Sequence, residues 1–264
     1  YQQDGNVRAA IQTGEVLLVF DEKRYGIESQ EYVYSLGDYT DLLLQSDRWG
    51  LAEANLKKCL EKLSKGSRFY GLVTAKLGDV YSFSGLYSKA SACFSEAMPV
   101  IQKHFGVTSV EYQLSLANYA SLLMQQGKYD QAEEILSGVI TSVEQSDWEE
   151  KEGLYFSALN NLSLSYQALG QYSEAETGLR SIAIRDSVTL GTNHPDFALT
   201  LSNLGQLYTN ETKFENAERV LRQSLEILRI NGDSATSSYA IKLNNLARNY
   251  SAWNQSSKAI PLLQ

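Results

Sequence analysis

The chain has 264 residues, 43 % of them hydrophobic and 20 % charged, with 23 Lys and Arg against 31 Asp and Glu for a formal charge of −8. This composition excludes intrinsic disorder, and its acidity argues against a phosphate backbone or an anionic membrane as partner. Three prolines leave helix open almost everywhere, while two cysteines and two histidines exclude a disulfide framework and a four-cysteine zinc site.

No stretch approaches the ~18 uninterrupted apolar residues of a membrane span. The chain begins at Tyr1 without Met or a visible signal peptide. A cytoplasmic location is expected, with export of a mature chain left open.

A short pattern recurs along the chain. A degenerate copy, Gly5-Asn-Val7-Arg-Ala-Ala10, comes first, followed by Asp47-Arg-Trp49-Gly-Leu-Ala52. Three sharp copies follow: Gly85-Leu-Tyr87-Ser-Lys-Ala90, Gly127-Lys-Tyr129-Asp-Gln-Ala132 and Gly170-Gln-Tyr172-Ser-Glu-Ala175. Two looser ones end at Ala217, with Phe214 as the aromatic, and at Ala259, where Ser256 replaces it. The closing alanines are separated by 42, 38, 42, 43, 42 and 42 residues. Before each Ala from the second onward lies a helical stripe, such as Leu201, Leu204, Gly205 and Tyr208, or Leu243, Leu246, Ala247 and Tyr250. A small residue within it (Gly78, Ala120, Ser163, Gly205 or Ala247) admits a close neighbour. After the Ala a second stripe follows, such as Ala90, Phe94 and Ala97. One hairpin cannot bury both stripes, so hairpins must stack.

The expected fold is therefore all-α, a right-handed superhelical solenoid of stacked antiparallel hairpins. Residues 1–30 hold the second helix of a truncated first repeat, and repeats follow at 31–68, 69–108, 109–150, 151–192 and 193–234. A partial seventh occupies 235–264. Neither end carries a polar capping helix, so a fragment of a longer protein, or pairing of open ends with another copy, is expected. The 38-residue step is expected to alter stacking locally, and Pro99 to kink its helix.

The Leu–small–Tyr stripe, the Gly-x-Tyr-x-x-Ala turn and the following Phe or Leu with Ala resemble the tetratricopeptide repeat family over the whole chain. The spacing of about 42 rather than 34, with Gly191-Thr-Asn-His194-Pro195 between repeats, resembles its long, kinesin-light-chain-like subclass. The resemblance implies a concave face built from the first helix of each repeat, used to bind extended peptides or partner helices.

Catalytic chemistry has little to work with. Cys59 occupies a core slot and Cys93 precedes core Phe94; a nucleophile would need a base in reach. His104 ends a second helix, where a cation is favourable, and His194 lies in an inter-repeat turn. The acidic run from Asp147 to Glu152 suits a helix start. Sequons at Asn161, Asn210, Asn249 and Asn254 fall among stacking helices and read as incidental. No cofactor or metal is implied.

The concave position, fourteen residues before each anchor Ala, holds Asp38, Lys76, Asn118, Asn161, Asn203 and Asn245. Asn160 and Asn244 add further amides, with Ser202 between them in the series. Asn is a poor helix former, and its amide can pair with both the N–H and C=O of an extended peptide. Bonding between neighbouring first helices is the competing reading. One turn on lie Asp41, Asp79, Ser121, Leu164, Gln206 and Arg248, making the N-terminal part of the groove acidic, with Asp38, Asp41 and Asp79 near Tyr34 and Phe83, and the C-terminal part amide-rich. A neutral to mildly basic protein or peptide partner follows, with no nucleic acid or membrane. Lys76 and Arg248 are too far apart along the repeats to grip a peptide carboxylate together.

The function expected is a non-catalytic interaction scaffold. The alternatives are the regulatory arm of a larger enzyme, such as a caspase-like protease or a nucleotide-switch signalling protein, and a peptide-pheromone receptor. Replacing Asn161, Asn203 and Asn245 together by Ala is expected to abolish binding while leaving the helices intact.

Overall fold

A serine or threonine followed three residues later by tyrosine opens four helices, and in each the hydroxyl accepts the tyrosine N–H: Ser29 from Tyr32, Ser67 from Tyr70, Ser109 from Tyr112 and Thr236 from Tyr239. Each cap satisfies an amide donor that the helix start would leave unpaired. At a fifth start His194 Nδ1 accepts from the Asp196 N–H at 3.2 Å, with Pro195 at the first helical position.

The computed structural model describes residues 2–149, 151–234 and 236–263, with side chains from residue 9 onward; Tyr1, Glu150 of the acidic run, Ala235 and Gln264 lie outside these. The described residues form an all-α fold of helical hairpins without strands. α1 (Gln2–Tyr25) is followed by α2 (Gln30–Gln45) and α3 (Trp49–Leu60), α4 (Arg68–Phe83) and α5 (Tyr87–Phe105), then α6 (Val110–Gln125) and α7 (Tyr129–Gln145). Next come α8 (Lys151–Ala168) and α9 (Tyr172–Thr189), α10 (Pro195–Asn210) and α11 (Phe214–Ile230), and α12 (Ser237–Ala252) with the short α13 (Ser256–Ala259). The even-numbered helices are the first helices of the hairpins.

The contacts gather into two compact units: residues up to 128 with 141–146, and 129–140 with the chain from 147 on. In the first unit the core joins Leu36, Leu43, Leu56, Phe94 and Ile101. In the second it joins Leu179, Leu207, Leu221, Leu246 and Tyr250. Burying one such leucine is worth about 1.5–3 kcal/mol. The anchor alanines Ala52, Ala90, Ala175 and Ala217 are fully buried, because a larger side chain there would separate the two helices of a hairpin, and Ala132 is fully buried too. A Cβ on Gly205 would fall on Leu221, and one on Gly78 would lie 3.0 Å from Phe94, so these first-helix glycines permit the close approach expected of them.

The turn within each hairpin needs one left-handed residue. Gly85, Gly127 and Gly170 supply it at φ of 75°, 74° and 78°, whereas Asp47, Thr212 and Asn254 take it at 56°, 60° and 59°. The short step between Ala52 and Ala90 has a local origin: α3 has 12 residues, while α5, α7, α9 and α11 have 17 to 19. The first helices on either side, α2 and α4, both keep 16. α5 continues as helix through Pro99, whereas α13 passes into a 3₁₀ turn at Ile260–Leu262 containing Pro261. Among the described residues no helix is long and apolar enough to cross a membrane.

Candidate functional site

In the first unit, α2, α4 and α6 place equivalent residues side by side. Tyr34, Leu72 and Leu114 form one row, and Asp38, Lys76 and Asn118 form the next, one turn on. Asp41 and Asp79 lie a further turn along. These rows line a cleft of about 440 Å³, which gathers five of the residues expected from the sequence (Asp38, Asp41, Lys76, Asp79 and Asn118) and adds Glu111.

Charge in the cleft is partly paired. Lys76 Nζ donates to Asp41 Oδ1 at 2.6 Å and Oδ2 at 2.8 Å. Asn118 Nδ2 donates to Asp79 Oδ2 at 3.0 Å, and the Tyr34 hydroxyl donates to Glu111 Oε1 at 3.1 Å. Asp38 and Asp41 are exposed, Lys76, Glu111 and Asn118 half-buried, and Asp79 only 8 % exposed. Burial pushes the Asp79 carboxyl up to about 7; the Lys76 ammonium opposes the rise, the Asp41 carboxylate adds to it, and the Asn118 amide opposes it.

The second unit treats its asparagines differently. Asn203 Nδ2 donates to Asn160 Oδ1 at 3.0 Å, linking α10 to α8, and Asn245 Nδ2 donates to Ser202 Oγ at 3.1 Å, linking α12 to α10. Asn203 and Asn245 are buried, Asn160, Asn161 and Gln206 half-buried, and Asn244 and Arg248 exposed. These amides therefore tie neighbouring first helices together. Replacing Asn203 and Asn245 by Ala would remove these ties and cost stability. Asn249 is fully buried, accepting from Thr209 Oγ1 at 3.1 Å and donating to the Phe214 carbonyl at 3.1 Å, which leaves no room for a glycan.

Apart from Tyr34, the row one turn before the asparagine positions escaped the sequence reading as a feature of the groove. It holds Tyr34 and Leu114 in the first unit and Leu199 and Ile241 in the second, between 42 % and 59 % exposed. The available signal was an apolar residue four before each concave position, on the same helix face.

Both cysteines and His104 lie outside the cleft. Burial pushes the Cys59 thiol up to about 12 and the Cys93 thiol to about 11, which keeps both protonated and poor as nucleophiles. His104 Nε2 lies 2.8 Å from the Gly66 carbonyl, joining the end of α5 to the turn before α4.

Family models of the tetratricopeptide repeat match residues 115–142 and 154–230. No curated protein matches the chain in sequence. Solved structures share the fold at low identity. TPR-like repeats of a Podospora anserina kinesin light chain protein are 22 % identical with a TM-score of 0.63, over 76 % of this chain and 93 % of that one. BtubC (BKLC) from P. vanneervenii is 20 % identical with a TM-score of 0.67, over 86 % and 92 %. NprR in complex with its cognate peptide NprX is 18 % identical with a TM-score of 0.67, over 99 % and 75 %. With its ladder of buried anchor alanines and its all-helical hairpins, the chain carries tetratricopeptide repeats at 115–142 and 154–230 and shares the fold of these solved repeat proteins.

Proposed function

We propose that this chain is a non-catalytic interaction scaffold that holds an extended segment of a partner protein on the face of its first helices. The observation that carries the reading is the cleft across α2, α4 and α6, where Val33, Leu72 and Leu114 offer apolar surface beside hydrogen-bonding and charged groups. Such a mixture suits recognition of a peptide, apolar contact supplying affinity and a few placed polar groups supplying register. The acidic balance of the cleft and the −8 charge of the chain favour a neutral to mildly basic segment and disfavour nucleic acid. Two free cysteines suit a reducing cytoplasm.

A second reading, a receptor for a short signalling peptide, draws support from NprR, which has the same fold and is described in complex with its cognate peptide.

The test is a titration of the chain, methyl-labelled for NMR, with a pool of random-sequence peptides of about a dozen residues. The methyl resonances of Val33, Leu72 and Leu114 should move, while those of Leu51, exposed on α3, stay in place. Movement confined to Leu51 and other second-helix methyls would refute the placement.

A further inference from the structure

The cleft between α2, α4 and α6 carries four carboxylates, Asp38, Asp41, Asp79 and Glu111, against one ammonium, Lys76. Lys76 is already held by both oxygens of Asp41. What remains is Asp38 and Glu111, with the buried Asp79 between their helices. Among the described residues Asn118 Nδ2 is the one hydrogen-bond donor to Asp79 and binds Oδ2, so Oδ1 has none although the residue lines the cavity. Oδ1 is not sealed from water at the cleft, so an incoming donor can reach it. The site thus combines that oxygen with apolar walls and an anionic surround.

One kind of side chain satisfies all three: a long aliphatic stem ending in a cation. The volume of about 440 Å³ lies within the range of ligand sites and has room for such a side chain with the backbone that carries it. Resting on the groove proposed above, we infer that this cleft receives one arginine or lysine side chain of the bound segment, its stem against Val33, Leu72 and Leu114 and its charged head at Asp79 Oδ1.

The electrostatics give the contact a pH dependence. Asp79 titrates near 7, pushed up by burial and by Asp41 from α2, and pulled back by Lys76 on its own helix and Asn118 on α6. Asp38 of α2 and Glu111 of α6 line the same space. An arriving cation favours the ionised carboxylate, so the preference for a cationic side chain grows as pH rises through 7 and weakens below it.

The experiment uses the full chain and labelled peptide pools with random flanks and a fixed central Arg, Lys, norleucine or Glu, read by fluorescence anisotropy at pH about 8. The Arg or Lys pool should bind at least about tenfold more tightly than norleucine, and Glu more weakly still. Asp79→Asn should remove the preference while the circular dichroism spectrum is unchanged. Lys76→Met, which frees Asp41, should strengthen it. Equal affinity for all pools overturns the inference and leaves the groove standing. Binding of none overturns both.

Discussion

Tyr250 donates its hydroxyl to Glu218 Oε1 at 2.6 Å, and Arg222, one turn beyond Glu218, contacts both partners. The same set recurs as Tyr208, Glu176 and Arg180, and with lysine as Tyr81, Glu53 and Lys57. In each case the glutamate directly follows an anchor alanine, and the tyrosine closes the first helix of the next hairpin. The separation is 32 residues in the first two and 28 in the third, so the shortened step at α3 keeps the link between hairpins. Burial alone would raise the Glu218 carboxyl, but the Tyr250 and Arg222 hydrogen bonds hold it below the usual carboxylate value. Tyr208→Phe and Tyr250→Phe should each cost roughly 1.5–3 kcal/mol in urea denaturation, the range for a hydrogen bond to a charged group.

Thr212 occupies the left-handed turn position at φ of 60°, which glycine fills at three equivalent turns. A β-branched side chain pays ~1–2 kcal/mol there, partly offset by the larger unfolded entropy of glycine. Thr212→Gly should therefore stabilise the protein by about 0.5–1 kcal/mol. The reverse change, Gly127→Thr, should destabilise it in the same denaturation assay.

Asp79 binds its proton more tightly in the folded chain, near 7 against an ordinary 3.8. Its contribution to stability is complete below 3.8 and is lost as pH rises through 7. Asp79→Asn should accordingly be more stable than the parent at pH about 8, by roughly 1–3 kcal/mol, and equal to it at pH about 3. Urea midpoints across that range provide the check.

Lys242 is 3 % exposed on α12, with its ammonium donating to Ser238 Oγ at 3.0 Å, and no carboxylate among the described residues pairs with it. Burial pulls its titration below the ordinary 10.5, so the parent gains stability as pH rises through the folded-state value towards 10.5. Lys242→Met should raise stability at neutral pH by about 1 kcal/mol and abolish that alkaline gain. Thermal melts at neutral and alkaline pH would show both effects.

The repeat and its fold were legible because they rest on local chemistry. An alanine at a crowded crossing and a glycine at a left-handed turn announce themselves by type and spacing, and Ala90 with Gly85 shows both. The groove was legible only in part. Asp38, Asp41 and Asp79 were readable as neighbours because one repeat length separates equivalent helices. Whether an amide faces a ligand or a neighbouring helix depends on side-chain direction, which residue type does not encode: Asn203 turns to Asn160, and Asn118 turns to Asp79. Glu111 and Leu114 were missed because the groove continues towards the helix N-terminus, against the direction in which the row was followed.

The central claim, that a partner segment lies in the α2–α4–α6 cleft, is tested most directly by changing a wall residue that the fold does not need. Leu114 is 49 % exposed and lines the cleft, so Leu114→Arg would place a cation of the chain's own among Asp38, Asp79 and Glu111. The measurement is the anisotropy titration of the Arg-centred peptide pool against parent and variant at matched helicity. The account predicts that the variant loses at least about tenfold in affinity; unchanged affinity would contradict it.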